Sequence, residues 1–199
     1  MRLPEQSSII LFVAVVLAAF VACAVALQGW SEETIRLVVR ASARSSIVLF
    51  SLAFSASGLQ TLFPSRASAY LLRNRRYVGL SFALSHSVHL AALVTLGVAF
   101  PAPFVDELDS LTLIGGGIAY VFIYAMAITS SDAAVRMLGG ARWRLLHRVG
   151  SWYIWAIFVQ TYLPLAVQGA GFLAPVALTL LAPLLRFARS RRERRATSR

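Results

Sequence analysis

Long apolar runs separated by short polar stretches set the plan of the chain. Runs over about 8–29, 45–63, 77–100, 111–128, 148–167 and 171–185 are rich in Leu, Val, Ile, Phe and Ala. Most reach the roughly 18 residues needed to cross a bilayer as a helix. The pattern predicts an all-α, polytopic membrane protein with six transmembrane helices in one domain, 1–185. Only Arg2 flanks the first run as a basic residue. That run is long for a signal-peptide core and no clear small-residue cleavage site follows it, so it is expected to be retained as a span. The sixth run is interrupted by Pro175 and Pro183.

A different period precedes the second run, in SEETIRLVVRASAR from Ser31 to Arg44. Ser31 suits a helix N-cap, and Glu32 and Glu33 suit the positive end of the helix dipole. Arg36, Arg40 and Arg44 fall four apart on one stripe, with Leu37, Val38 and Val39 on another face. This predicts a short interfacial amphipathic helix before span two. Its stripe reads as a solvated face, or as a seat for an anionic group. Gly115-Gly116-Gly117 lies inside an apolar run with no strand before it, which points to close helix packing rather than a phosphate loop.

Composition agrees with the pattern. Of 199 residues, 58% are hydrophobic, against about 45–50% in ordinary soluble domains. No polar stretch approaches the roughly 100 residues of a separate nucleotide- or flavin-binding domain. The net charge of +11 comes entirely from arginine, since the chain has no lysine. Nucleic acid is not the expected partner, because no soluble basic fold presents the charge. Instead, 15 of the 19 arginines lie after runs two, four and six. The positive-inside rule then places both termini in the cytoplasm, with 186–199 as a basic cytoplasmic tail against anionic lipid. Cys23, the single cysteine, forms no internal disulfide and reads as a packing residue.

The candidate chemistry lies in three histidines. His86 and His89 sit in the third run, and His147 stands at the mouth of the fifth. Ionisable residues in spans are costly and mark functional sites by default. Spans three and five run in the same direction. His89 lies 13 residues past Arg76, roughly 20 Å along its helix, and Gln160 lies 13 residues past His147, at a similar depth. Neutral imidazoles on neighbouring helices can ligate haem iron axially. The plainer readings are an interfacial polar residue for His147 and an interhelical hydrogen bond for His86. A metal site at His86 and His89 alone would be weak, with no carboxylate or thiolate nearby. No nucleophile–base pair, P-loop or metalloprotease motif is present.

RRYVGLSFALSHSVHL, AITSSDAAVRMLGGARWRLLHRVGSWYIW and the six-span plan resemble the ferric-reductase-like transmembrane domain family. Within it the likeness is closest to the haem-binding membrane subunits of periplasmic methionine sulfoxide reductase systems. The matching positions are Arg75-Arg76, Gly79, His89, Thr129-Ser130, Leu138-Gly139, Arg142-Trp143 and Leu146-His147, over roughly 44–164. The resemblance implies a bacterial inner-membrane electron-transfer subunit carrying one or two haem b groups. Its iron ligands would be His89 and His147, and its electrons would come from quinol or a separate flavoprotein and pass to an outer-side redox partner. Arg76 and Arg144 are candidates to meet propionates. The family usually has a second histidine on span five where this chain has Gln160, a poor iron ligand that would line the outer haem pocket. His86, one turn below His89, cannot reach the opposite face of the same iron. His89 and His147 differ in depth by roughly 15 Å, too far to sandwich one iron. The remaining possibilities are a five-coordinate haem at His89, a haem with another ligand, or a cofactor-free scaffold that binds a partner or lipid. A solute transporter has little support, since no acid lies within a span and no inverted repeat is visible.

Overall fold

The computed structural model describes residues 6–101, 110–167 and 169–197. Among these residues seven α-helices follow in order: α1 Ser7–Gln28, α2 Glu32–Leu62, α3 Arg66–Ala99, α4 Ser110–Ile128, α5 Asp132–Leu138, α6 Gly140–Tyr162 and α7 Leu173–Thr197. Two 3₁₀ turns, Pro164–Val167 and Ala170–Phe172, join α6 to α7. The described residues contain no strand. The protein is an all-α membrane protein.

Among the described residues three helices, α1 to α3, are long and apolar enough to cross a membrane, and a fourth span results if the bent pair α4–α5 counts as one. By that measure three or four of the expected six spans are met among the described residues. The reason lies in the sequence of the last two helices. The first half of α6 carries Arg142, Arg144, His147 and Arg148, and the apolar part of α7 is short, Leu173–Ala188.

Three boundaries differ from expectation. The separate interfacial helix is instead the first three turns of α2, which runs unbroken from Glu32. Ser31 does cap it, accepting from the Thr34 N–H at 3.2 Å, but no glycine or proline follows until Gly58 to break it. Ile35 and Val38 on its inward face are buried in a small core with Ala92 and Leu96 of α3. Second, Arg66, Arg73, Arg75 and Arg76 do not lie on a loop. Pro64 ends α2, and Ser65 with Ser68 forms a capping box that starts α3 at once. Third, the basic tail continues α7 as helix to Thr197. The acidic loop with Asp106, Glu107 and Asp109 lies outside the described residues.

The main core gathers Ile47, Phe50 and Phe54 of α2, Phe82 of α3, Ile123 of α4, and Ile154, Phe158 and Tyr162 of α6. Two local features position the helices around it. A Cβ on Gly58 would stand 2.5 Å from the Leu185 carbonyl oxygen, so α2 and α7 touch backbone to backbone only because residue 58 has no side chain. Within α7, Pro183 has no N–H for the carbonyl of Thr179 four residues earlier. The indole N–H of Trp155 donates to that carbonyl at 2.8 Å. A proline that would orphan a buried acceptor is thereby tolerated, and α6 is pinned to α7.

Candidate functional site

A cavity of about 720 Å³ opens where the arginines collect, well within the roughly 300–1,000 Å³ of small-molecule sites. Phe50, Phe54, Phe82, Ala83, Ile123 and Met126 make its walls. Arg73, Arg75, Arg76, Arg144, Arg148 and Arg186 surround it, with Asp132 and His147 also on the lining. Gly79 lines it too, and a Cβ there would meet nothing within 4 Å. Apolar ring walls, a guanidinium rim and an imidazole suit a flat apolar group that carries negative charge.

His147 is held by the turn between α4 and α6. Helix α4 bends by 106° into α5, and Gly139, at φ +76°, reverses the chain into α6 in a conformation that other residues adopt only with strain. One turn before His147, Trp143 packs against its ring at 4.2 Å between centroids, the planes tilted by 31°. The indole N–H of Trp143 donates to the Thr129 carbonyl at 2.9 Å. Thr129 Oγ1 gives its proton to the Ala125 carbonyl at 2.6 Å, so it accepts from His147 Nε2 at 3.3 Å. The other ring nitrogen, Nδ1, is left with its lone pair. Burial, and after it the charge of Arg75, lowers the pKa of His147 below the usual imidazole value. The ring is therefore neutral at pH 7. Arg75 itself donates to Ser57 Oγ at 3.0 Å, and Arg76 pairs with Asp132 at 2.9 Å.

His89 and His86 lie elsewhere, beyond the Phe82 wall. His89 Nδ1 is 3.0 Å from the Val39 carbonyl, which can only accept. The proton is therefore on Nδ1, and Nε2 carries the lone pair. Ser42 Oγ stands 3.4 Å from the same nitrogen and donates to the Val38 carbonyl at 2.6 Å. Below it, Ser45 and Ser46 meet Ser85 at 2.7 and 3.0 Å, so a seam of hydroxyls backs His89 between α2 and α3. The ring of His86 stacks on His89 at 5.1 Å and on Tyr120 at 4.9 Å, and meets Phe82 and Phe158 at 5.5 and 5.9 Å. Its Nδ1 is buried with no hydrogen-bond partner.

The structure thus brings His86 and His89 together and keeps His147 apart from them, at the cavity. Gln160 is exposed, on a different face of α6 from the buried residues. Phe158, eleven residues or about three turns after His147, shares the His147 face and is the α6 residue that meets His86. Depth alone paired Gln160 with His89; helical phase pairs Phe158 with His86. Arg186, Trp143 and Thr129 were not singled out as site residues from sequence. Trp143 and Thr129 fall in the motif around His147, whereas by sequence alone Arg186 belongs to the basic tail. Among the described residues, no group of three or more His, Cys, Asp or Glu is placed to hold a metal ion.

Fold and site together define a helical membrane protein with a basic, ring-walled cavity beside a neutral histidine. Two curated relatives share sequence with it. Both are heme-binding subunits, MsrQ, of protein-methionine-sulfoxide reductase. The one from Azospira oryzae is 30% identical over 118 residues, covering 58% of this chain and 50% of the relative. The one from Ralstonia nicotianae is 30% identical over 127 residues, covering 62% and 57%. The chain therefore spans about half the length of the curated relatives it matches. No family model matches the chain, and no solved structure matches it.

Proposed function

We propose that this chain is the haem b-binding transmembrane electron-transfer subunit of a ferric-reductase-like oxidoreductase system. In this reading it sits in a bacterial inner membrane, with both termini cytoplasmic and α6 and α7 completing six spans. The observation that carries the reading is the cavity. It combines a neutral imidazole, phenylalanine walls and a guanidinium rim, in a chain similar to proteins named as heme-binding subunits.

The residues fit such a group chemically. Bound there, haem b supplies a one-electron redox centre. His147 offers its uncommitted nitrogen as a ligand, while Trp143 and Thr129 fix the ring. Phe50, Phe54 and Phe82 exclude water from an apolar macrocycle. Arg76 and Arg144 offer charge to propionates. His89 is the second candidate ligand. Its N–H is engaged by a backbone carbonyl, the arrangement that orients metal-ligating histidines and raises their basicity. His86 is proposed at most as a pocket residue around it, and Gln160, on the outward face of α6, takes no part. Because the cavity opens at the arginine-rich end, electrons enter there from quinol or a separate flavoprotein, and an outer-side redox partner receives them. The alternative is a cofactor-free scaffold that binds a partner or lipid. The packed rings around His86 and the outward Gln160 favour it.

A reduced-minus-oxidised absorption spectrum of the detergent-purified protein, with haem quantified per chain, tests the reading. The expected result is a b-type spectrum at one haem or more per chain, with most of the haem lost in His147→Ala. Gln160→His leaves the spectrum unchanged, because that position faces away from the histidines. Haem-replete expression that yields no stoichiometric haem overturns the redox reading in favour of the scaffold.

A further inference from the structure

We propose that Arg186 holds the negative charge of the cavity's occupant and raises its reduction potential; this rests on the redox reading above. Arg186 is the first charged residue of α7, close to the end of its apolar stretch. A residue at that boundary would ordinarily extend its head group towards water and lipid phosphate. Here it turns onto the cavity wall. Its guanidinium carbon lies 4.2 Å from the Phe54 ring centroid and 5.6 Å from that of Trp152. One of its nitrogens donates to Ser151 Oγ at 3.4 Å.

The backbone explains why it can do so. The missing Cβ of Gly58 lets the Leu185 carbonyl press against α2. Residue 186 therefore emerges against α2, one turn from the ring of Phe54. The aromatic seat holds a planar guanidinium in place, a role a flexible ammonium fills poorly. Stacking uses the faces of the guanidinium, whereas a carboxylate is met along its edge, so one side chain serves both contacts. Arg76 stands 2.9 Å from a largely exposed Asp132, where water and salt weaken its field. A cation on a ring-lined wall is screened less. Each electron taken up adds one negative charge to the cavity. A fixed cation there favours the reduced state, so its removal lowers the potential.

The test is a redox titration of the haem-loaded full chain in detergent, comparing wild type, Arg186→Gln and Arg186→Lys. Arg186→Gln is expected to lower the preference for the reduced over the oxidised state about tenfold. For one electron that is a fall of about 59 mV. Arg186→Lys, which keeps the charge but loses the planar stack, is expected between the two. A midpoint in Arg186→Gln indistinguishable from wild type overturns the proposal while leaving the haem reading intact. If Arg186→Gln does not accumulate, Arg186→Lys decides: a lowered midpoint supports the proposal and an unchanged one overturns it. A wild-type chain without haem overturns the redox reading and this inference together.

Discussion

At the arginine-rich end, His147 stands beside an open cavity, held by one tryptophan and one threonine. Towards the other end of α3, His86 and His89 stand inside a packed cluster of rings and hydroxyls. The residue type and the apolar context are the same, but the surroundings differ in kind. Around His147 there is space and positive charge, so a ligand can enter. Around His86 the rings of Phe82, Tyr120 and Phe158 take up the room. A histidine in an apolar helix is thus a candidate site only when its neighbours leave volume beside it. Helical phase, more than depth, decides which neighbours those are.

The comparison can be broken first at the helix contact that shapes the cavity. Gly58→Ala forces a methyl group against the α7 backbone and is expected to cost about 1–3 kcal/mol, seen as a lowered melting temperature in detergent. Gly150→Ala is the control. There a Cβ would stand 2.9 Å from the Met126 sulfur and 3.1 Å from the Phe122 ring, side-chain atoms rather than backbone, so the loss is smaller. Equal losses in the two variants would remove the special role given to the α2–α7 contact. Next in size is Trp155→Phe. It keeps the ring but leaves the Thr179 carbonyl without the donor that Pro183 cannot supply, at a cost of about 1–3 kcal/mol. In a Pro183→Ala background the same change is expected to cost less, because the helix then supplies the N–H.

The smallest expected effect concerns His147 and pH. Its folded-state pKa is lowered, first by burial and then by Arg75. Below the unfolded-state value near 6.5, the unfolded chain therefore binds a proton that the folded chain does not, and stability falls as pH falls. The loss ends once pH passes the folded-state pKa. Melting curves from pH 8 to pH 5 are expected to show a steeper fall in wild type than in His147→Gln. Identical slopes would mean that the ring is as easily charged in the folded chain as in the unfolded one.

The apolar runs by themselves determined that the chain is helical and membrane-embedded, because a membrane leaves the backbone few ways to satisfy its polar groups. Local chemistry also determined the cap at Ser31, the stop at Pro64, and the choice of the three histidines as the residues to follow. Other features depended on contacts between segments far apart in sequence. By sequence Arg186 opens a basic tail, yet it lines the cavity because Gly58, 128 positions earlier, admits the backbone before it. Gln160 was matched to His89 by counting along two helices, and the rotation of α6 turned it outward and Phe158 inward. Hydropathy and spacing fix how far along a helix a residue lies. Which way its side chain faces, and whether space remains beside it, follows from how helices pack. That packing is decided here by single residues such as Gly58 and Trp155, whose effect is visible only when the partner helix is in place.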